Sequence, residues 1–369
     1  MALKIKSRQE CSYDMATLDE VFLRLDAGQN RIRRAPWFQV DACGDGFDAA
    51  RGLSKCFGLA TTVITALADD DIGQLISEII CSGNVDISFI KWTPNAGRLV
   101  TRNSILFAER GFGLRCGRNV IDNIEAAASH LQPFDIDWTR LFTCQGVRWF
   151  HTESRFATLS ETAAQAALAA TRAAKRSGSV VSYAITDHDA MKQSANIEDI
   201  HKEIARNVDV LIGSSTALAT GLGIVMPEAT DAESYECTFV AVKKAYPQVQ
   251  IIASPLYREH GASVCDWAAV AWDGSHLLQS IQYENLTVYD HTGLASAFIA
   301  GLFYGLLEAD DLQTALDYGV AHGTLVMTTP QSASCVDLNE VKALMQAKGS
   351  LVRDQAAQWS LVGWSSGEW

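Results

Sequence analysis

Short runs of β-branched and other apolar residues recur along the second half of the chain. The runs at residues 180–185, 208–213 and 249–253 have the length of strands, and a helix-like segment precedes each of them. A nearly continuous apolar run is typical of a strand that is buried on both faces. Strands that alternate with helices in this way predict βαβ crossovers and therefore a parallel sheet covered by helices.

One of these helix-like segments has clear end signals. It is rich in alanine and runs from about Thr158 to Arg176. Thr158 is followed three positions later by Glu161, a pattern that predicts a capping box at the helix N-terminus. Gly178 stands where a glycine commonly ends a helix. The pattern predicts one helix that leads into the strand at residue 180.

The first 120 residues follow a different pattern. Residues 20–25 alternate between apolar and polar positions, and strand-like runs at 37–40 and 98–106 lie among glycines and polar residues. Alternation with a period of two is typical of a strand with one buried face. These short pieces predict a small sheet that covers one edge of the main body.

Composition and charge exclude several classes of partner. A net charge of −13 argues against nucleic acid and against an anionic membrane surface. The nine cysteines are dispersed without a CxxC pair, which is typical of reduced thiols and offers no metal-ligand spacing. Since no apolar run reaches about 18 residues and the N-terminus lacks a signal-peptide core, we expect a cytoplasmic protein without a metal.

Several segments together resemble the ribokinase/PfkB carbohydrate kinase family, especially its 2-keto-3-deoxygluconate kinase-like branch. The segments that carry the resemblance are Glu20–Asp26, Ala50–Leu53, Thr65–Asp69, Glu109–Gly113, Val147–Thr152, Asp266–Trp267, Asp290–Gly293, Ala297–Phe298 with Gly301, and Gly319–Gly323. Each segment alone is a weak signal, whereas the set is specific and covers most of the chain. The resemblance implies an α/β fold, a ribokinase-like three-layer α/β/α sandwich with a small β-sheet lid.

The resemblance also implies how the chain is divided. We expect the ribokinase-like domain at residues 17–345, with a lid formed by segments near 19–45 and 96–118, and a homodimer formed through the lid. Residues 1–16 are expected to be an N-terminal extension and residues 346–369 a C-terminal tail. The tail carries Trp359, Trp364 and Trp369, a spacing that fits neither a helix face nor a strand face. We expect a disordered or loosely docked tail, with a partner-docking segment as the alternative.

The phosphotransfer loop of the family has been substituted. In the family this loop ends in an aspartate that accepts the proton of the sugar hydroxyl, and its glycines form an anion hole at a helix N-terminus. By the resemblance, Asp290–Ser296 is the loop and Ser296 takes the position of the base. An unassisted hydroxyl cannot accept a proton near neutral pH. Gly293 is kept, whereas Leu294 and Ala295 add bulk where phosphate must approach the backbone.

Three further family segments have lost their expected residues. Residues 212–217 hold no carboxylate, although the family has one there to help arrange magnesium and phosphate. Ala184, Thr186 and His188 stand at the Asp, Asn and Arg positions of the segment after the central strand. Asp48 stands where the sugar-binding run has an amide. Four altered segments predict that phosphotransfer is lost.

Some of the new residues are themselves reactive. The run from Asp187 to Asp189 places an imidazole between two acids just after a strand, which is where open α/β sheets bind ligands. A histidine flanked by carboxylates titrates near neutrality and can move protons. The candidate catalytic residues are His188, Glu153, Asp187 and Asp189, and the candidate substrate-binding residues are Asp48, Asp19, Arg102, Arg155 and Thr186.

Each candidate also has a purely structural alternative. The Asp187–Asp189 run would suit an exposed loop, and Glu153 and Arg155 could pair with each other. Histidines in apolar contexts, such as His151 and His322, are more typical of a core than of a site.

Three hypotheses about function remain open. The first is an enzyme of the isomerase, lyase or cyclase type that performs acid/base chemistry on a small polar metabolite and needs no cofactor. The second is a non-catalytic pseudokinase that binds a metabolite or a partner. The third is a residual sugar kinase that uses Asp290 or a nearby carboxylate as its base and requires Mg-ATP.

Overall fold

The strands of the chain belong to two sheets of very different size. The computed structural model describes residues 3–94, 101–187, 197–225, 231–309, 311–330 and 335–351. In chain order the strands are β1 (Tyr13–Leu18), β2 (Phe22–Asp26), β3 (Gln39–Cys43), β4 (Thr61–Asp69), β5 (Val85–Pro94), β6 (Ser104–Glu109), β7 (Arg118–Asp122), β8 (Val147–Glu153), β9 (Val180–Ala184), β10 (Val210–Ile212), β11 (Ile251–Gly261), β12 (Val264–Trp272), β13 (Leu277–Gln279) and β14 (Tyr283–Thr287). Every residue of β1, β8 and β9 is buried, which explains why these strands lack polar alternation.

The larger sheet is parallel over most of its width. Within the described residues it has ten strands, in the order β13-β12-β11-β10-β9-β8-β1-β4-β5, with β14 also paired to β12. All neighbours from β5 to β11 are parallel, whereas β12 is antiparallel to its partners. The parallel strands therefore all end at one edge, here named the carboxyl edge, where open α/β sheets bind ligands.

Helices cover both faces of the larger sheet. In chain order they are α1 (Asp45–Lys55), α2 (Asp71–Ser82), α3 (Ser154–Ala157), α4 (Glu161–Ser177), α5 (Ile197–Ala205), α6 (Ser215–Leu222), α7 (Asp231–Ala245), α8 (Leu294–Glu308), α9 (Leu312–Val326) and α10 (Leu338–Leu351). Apolar residues of α1, α8 and α9 pack on one face of the sheet, and those of α4, α6 and α7 pack on the other. A core on each side of one sheet is the three-layer arrangement, which confirms the predicted fold class.

Helices α8 and α9 approach each other closely at glycines. A Cβ atom on Gly301 would lie 2.4 Å from the Tyr318 carbonyl oxygen, and one on Gly305 would lie 2.3 Å from Cα of Ala315. No larger residue fits at these distances without moving the backbone of α9. The close contact fixes α8, and with it the loop that precedes α8.

The smaller sheet corresponds to the predicted lid. Its order is β3-β2-β6-β7 among the described residues. Arg24 and Asp41 pair in register on its buried face, whereas Val40 and Val120 are exposed. The sequence placed the strands slightly early, because β3 begins at Gln39 rather than at residue 37.

Two boundaries drawn from the sequence differ from the structure. The predicted capping residue of α4, Thr158, is wrong: the N-cap is Ser160, whose hydroxyl accepts a hydrogen bond from the Ala163 amide. Thr158 instead ends the preceding short helix, and its hydroxyl donates to the Arg155 carbonyl oxygen at 3.3 Å. The predicted glycine end is confirmed, since Gly178 has a left-handed φ of 82°. Strand β1 begins at Tyr13, before the expected domain start at residue 17.

Substitutions at Ser160 and Thr158 should show which of the two residues caps α4. We expect Ser160→Ala to lower the free energy of unfolding by about 1 kcal/mol, because the Ala163 amide loses its acceptor. Thr158→Ala should lower the free energy of unfolding by less than half as much as Ser160→Ala does. Urea denaturation followed by tryptophan fluorescence measures both, and a larger loss in Thr158→Ala would contradict the cap seen in the structure.

Candidate functional site

Ionisable side chains from neighbouring strands meet at the carboxyl edge. Asp19 follows β1, Glu153 is the last residue of β8, and Asp187 lies just beyond β9. All three residues are buried. A carboxyl group in such a place is removed from water, so its protonation depends on its immediate neighbours.

Asp19 and Glu153 occupy adjacent register positions at this edge. Leu18 of β1 pairs with Thr152 of β8, so the next residue on each strand lies beside the other. Side chains in register on parallel strands point to the same face, and neighbouring strands lie about 4.8 Å apart. The register therefore makes Asp19 and Glu153 neighbours at the carboxyl edge.

Asp19 retains its proton more strongly than an ordinary aspartate. Burial, followed by the nearby carboxylate of Asp45, raises the pKa of Asp19 to about 8. The amides of Glu20 and Phe47 donate to its two oxygens at 2.8 and 2.9 Å. A Cβ atom on Gly44 would lie 2.5 Å from Oδ2 of Asp19, so a glycine is needed where the loop before α1 passes over this carboxyl group.

A buried histidine lies behind Glu153. Nε2 of His151 is 3.1 Å from Oε1 of Glu153, and Nδ1 of His151 is 2.8 Å from Oγ of Ser182. Burial lowers the pKa of His151 to about 3, so the ring is neutral at physiological pH. The expectation that His151 lies in the core is confirmed, and its contact with Glu153 links that core to the site.

Arg155 pairs with Asp45, a partner that the sequence did not indicate; its pairing with Glu153 stays a prediction. Its Nε lies 3.0 Å from Oδ2 of Asp45. Asp45 is the first residue of α1, and Arg155 follows the end of β8. This ion pair therefore joins α1 to the segment that follows β8.

Asp48 belongs to a buried ion-pair group between α1 and the lid. Nη2 of Arg51 lies 2.6 Å from Oδ1 of Asp48, and Nη1 of Arg51 lies 3.0 Å from Oδ1 of Asp41 on β3. Asp48 thus helps to hold the lid against α1. Its role in substrate binding stays a prediction.

The segment after β9 is only partly described. The Ser214 hydroxyl donates to Oδ1 of Asp187 at 2.8 Å, and the Thr186 amide donates to Oγ of Ser154 at 3.1 Å. Asp187 is buried, unlike the exposed residue that the structural alternative supposed. His188 and Asp189 lie outside the described residues, so their proposed catalytic role stays a prediction.

Arg102 lies along the rim of the lid. Its guanidinium group donates to Oδ1 of Asp122 at 2.9 Å and to the Ile124 carbonyl oxygen at 3.3 Å. Both the Arg102 and Asp122 side chains are about half exposed. A contact of Arg102 with a substrate stays a prediction.

The loop before α8 is held by the lid through buried ion pairs. Oδ2 of Asp290 lies 3.2 Å from Nη2 of Arg24 and 3.2 Å from Nε of Arg110. Both arginines also contact Oδ2 of Asp26, at 3.0 and 2.9 Å. Arg24 is completely buried, so the two carboxylates are needed to balance its charge.

Residues 293–296 of the same loop form the start of α8 and include no carboxyl side chain. Gly293 has a φ of +82° and is the N-cap of α8, with no side chain capping the helix. Leu294 is buried, and a Cβ atom on Gly323 would lie 3.0 Å from its Cδ1. Ser296 is also buried, and its assignment to the position of the kinase base stays a prediction. The loop is thus filled by apolar packing beside the lid contact.

Sequence reasoning missed Arg24, although a signal was present. Arg24 stands in the alternating run at residues 20–25 as a charged residue on the inward face of β2. A charge at an inward position requires a buried partner. The partners, Asp26 and Asp290, come from the same strand and from a loop far along the chain, so the sequence could indicate the need but not the contact.

The part of the chain that the structure describes offers neither a metal site nor a membrane-spanning helix, and it has one further cleft of note. No group of three or more His, Cys, Asp or Glu there could hold a metal ion. Over the same ranges, none of the helices combines the length and hydropathy needed to cross a bilayer. A cleft of about 490 Å³ lies at the N-terminus of α4 and is lined by Asn123, Ile124, Glu125, Ser129, His130, Leu159, Ser160, Glu161 and Thr162. It contains none of the carboxyl-edge residues described above.

Removing the charge of Asp290 should destabilise the fold. We expect Asp290→Asn to lower the free energy of unfolding by about 3 kcal/mol, because Arg24 and Arg110 would lose a buried counterion. Asp122→Asn removes a half-exposed counterion of Arg102 and should cost less than about 1 kcal/mol. Urea denaturation measures both variants. Equal losses would show that the lid does not depend on the Asp290 ion pairs.

The raised pKa of Asp19 should appear in the pH dependence of stability. Between about pH 4 and 8 the unfolded chain releases this proton while the folded chain retains it, so stability falls as pH rises, by up to about 1.4 kcal/mol per pH unit. Asp19→Asn removes this pH dependence. The free energy of unfolding of the variant, relative to that of the wild type, should therefore rise with pH between about pH 4 and 8. Asp311→Asn is a suitable control, because the pKa of Asp311 is lowered by its hydrogen bonds with Thr314. A flat difference for Asp19→Asn would contradict the assignment.

Comparisons with known proteins agree with this architecture. The 2-dehydro-3-deoxygalactonokinase of Haloferax volcanii is 20% identical over 334 residues, which cover 90% of this chain and 96% of that protein. The crystal structure of 2-dehydro-3-deoxygluconokinase from Thermotoga maritima superimposes with a TM-score of 0.79 at 24% identity, covering 90% of this chain and 99% of the other. A PfkB family carbohydrate kinase from Listeria grayi gives a TM-score of 0.77 at 20% identity, covering 91% and 99%.

The family itself follows from a match along nearly the whole chain. The description "pfkB family carbohydrate kinase" applies to residues 10–339. This range runs from just before β1 into α10 and includes the lid, the carboxyl edge and the loop before α8. The chain therefore belongs to the PfkB family of carbohydrate kinases.

Proposed function

We propose that this PfkB-family chain no longer transfers phosphate and instead performs acid/base chemistry on a small polar metabolite without a nucleotide. The observation that carries the proposal is the buried pair of carboxyl groups at Asp19 and Glu153, adjacent in register at the carboxyl edge. Asp19 holds its proton near neutral pH. Isomerases, lyases and cyclases commonly use a general acid next to a general base.

The proposed chemistry begins with proton transfer next to a carbonyl group. Glu153 would remove a proton from the carbon beside the carbonyl, and Asp19 would give its proton to the carbonyl oxygen, which forms an enol. Where the deprotonated carbon carries a hydroxyl group, the enediol gains a proton at the former carbonyl carbon and loses the proton of that hydroxyl group, which gives the isomeric carbonyl compound. Where the next carbon carries a hydroxyl group, its loss as water gives a dehydrated product. His188 and Asp189 are further candidates for these proton transfers.

The residues present do not fit Mg-ATP phosphotransfer. Ser296 is a buried hydroxyl at the position of the base, and the nearest loop carboxylate, Asp290, is already paired with Arg24 and Arg110. Ser214, in the segment that should help to arrange magnesium, caps α6 by accepting from the Ala217 amide. A residual kinase would need to free Asp290 from two arginines, which makes it the weakest of the three hypotheses.

A sugar acid is the first metabolite to test. The similar proteins from Haloferax volcanii and Thermotoga maritima carry the names of kinases for 2-dehydro-3-deoxy sugar acids. Such a compound has a ketone with acidic neighbouring protons, as the proposed chemistry requires. Nε and Nη1 of Arg24 have no hydrogen-bond partner among the described residues, and they are suitable donors for an anionic group under the lid.

A pseudokinase that binds without reaction is the second candidate. The observation that favours it is the set of ion pairs by which Arg24 and Arg110 of the lid hold Asp290. These ion pairs occupy the carboxylate of the loop, which suits a protein that binds a metabolite without reaction. A ligand that binds tightly and is recovered chemically unchanged would support this candidate over the enzyme.

Association through the lid remains part of the proposal. Val40, Phe107 and Val120 lie in register on the lid face opposite Arg24, and Val40 and Val120 are exposed. A sheet face with exposed apolar residues is suited to a homodimer. We propose that the chain forms a cytoplasmic homodimer. Its ligand is a small metabolite and not a nucleic acid.

The proposal predicts proton exchange without nucleotide. In D₂O, the chain should catalyse the uptake of deuterium at C3 of 2-keto-3-deoxygluconate, observed by proton NMR, with no ATP present. We expect Glu153→Gln to slow this exchange by at least about 100-fold, because an amide cannot accept the proton.

The matched control is Glu161→Gln, which removes the same charge from the exposed first turn of α4 and should leave exchange unchanged. ADP formation that depends on the sugar acid would contradict the loss of phosphotransfer. Equal exchange rates in the wild type and Glu153→Gln would remove Glu153 from the mechanism.

A further inference from the structure

A series of hydrogen bonds runs from the core of the sheet to the carboxyl edge. Nε1 of Trp149 donates to Oγ of Ser182 at 2.8 Å, and this oxygen lies 2.8 Å from Nδ1 of His151. The other ring nitrogen of His151 lies 3.1 Å from Oε1 of Glu153. Trp149, His151 and Ser182 are all completely buried, so water does not compete for these groups.

The donors in this series determine where the proton of His151 resides. An indole N–H can only donate, so Ser182 accepts from Trp149 and must place its own proton elsewhere. The available acceptors are Nδ1 of His151 at 2.8 Å and the Phe150 carbonyl oxygen at 3.4 Å. The shorter contact is the stronger one. Nδ1 of His151 then accepts, and Nε2 carries the hydrogen.

Aromatic packing keeps the imidazole ring in this orientation. Phe303 of α8 meets His151 edge-on, with ring centroids 5.2 Å apart. Phe303 also packs against Trp149 at 4.4 Å. Rotation of the imidazole would require both aromatic rings to move, so its Nε2 atom stays directed at Glu153.

We propose that His151 and Ser182 are positioning residues that fix the Glu153 carboxylate as the proton acceptor of the site. Trp149, which can only donate, determines the donor-to-acceptor direction of the hydrogen bonds in the series. This inference rests on the proposed function and identifies which member of the carboxyl pair is the base. An N–H that donates to Glu153 stabilises the ionised form of Glu153. Glu153 is then the acceptor and Asp19 the donor.

The opposite tautomer would reverse these roles. With hydrogen on Nδ1, the His151 ring would donate to Ser182, and its bare Nε2 would require a proton from Glu153. Glu153 would then be a protonated acid. The position of one hydrogen on His151 therefore distinguishes the two assignments, and it can be observed whether or not a substrate is known.

Nitrogen NMR of the full chain labelled with ¹⁵N-histidine tests the proposal at pH 7. The His151 signals are identified by their loss in His151→Gln. We expect the neutral Nε2–H tautomer in the wild type and in Glu153→Gln, because the amide oxygen of the substituted side chain still accepts the hydrogen bond. Ser182→Ala combined with Glu153→Gln removes both the donor to Nδ1 and the carboxylate that accepts from Nε2, and this double variant should produce a mixture of tautomers.

Two results would overturn the proposal. One is a dominant Nδ1–H tautomer or an imidazolium ion in the wild type. The other is a spectrum of the Ser182→Ala/Glu153→Gln double variant that is identical to that of the wild type, in a protein that unfolds at an unchanged temperature. Either result leaves the exchange assay with Glu153→Gln untouched, so failure of this inference is distinguishable from failure of the proposed function.

The exchange assay supplies a second readout of the positioning role. His151→Leu should reduce the rate of deuterium exchange at saturating sugar acid by about 10- to 100-fold, the usual effect of losing a hydrogen bond to a charged group, with little change in the half-saturating concentration. His151→Gln keeps an N–H at similar reach and should recover most of that loss. Equal losses in the two variants would indicate a packing role only.

Discussion

Parallel pairing of β1 with β8 is the constraint on which the site depends. Because both strands end at the same edge, the residue after Leu18 and the residue after Thr152 become neighbours. Burial by helices on both faces then removes Asp19 and Glu153 from water. Burial and the nearby carboxylate of Asp45 raise the pKa of Asp19, whereas Glu153 contacts the ring of His151. The two carboxyl groups therefore have different environments.

The lid responds to a second buried charge. Arg24 lies on the inward face of β2 and is completely buried, so it needs carboxylates from both the lid and the body. Asp290 supplies one of them from the loop that serves phosphotransfer in related kinases. The same loop is filled by Leu294 and ends in Ser296. The segment that the lid holds through Asp290 thus also carries the apolar packing of Leu294 and the buried Ser296 at the start of α8.

Much of the fold could be predicted from the sequence, since buried strands, helix ends and family segments are local signals. The run at residues 180–185 and the helix end at Gly178 are examples. The pairing of charges could not be predicted, because partners such as Arg155 and Asp45 become neighbours only when strand order and helix position are known. Asp19 and Glu153 were both named from the sequence, but with different roles. Their adjacency depends on β8 lying beside β1 rather than beside a strand nearer in the chain.

The proposed function requires a carboxyl edge that accepts a small polar ligand and a loop before α8 that does not accept nucleotide. Calorimetric titration of the intact chain tests both parts directly, first with 2-keto-3-deoxygluconate alone and then with Mg-ATP. The account predicts heat of binding for the sugar acid in the absence of nucleotide and no heat for Mg-ATP at any sugar concentration. Saturable binding of Mg-ATP that is followed by formation of ADP and a phosphorylated sugar would contradict it and identify the chain as a kinase with a relocated base.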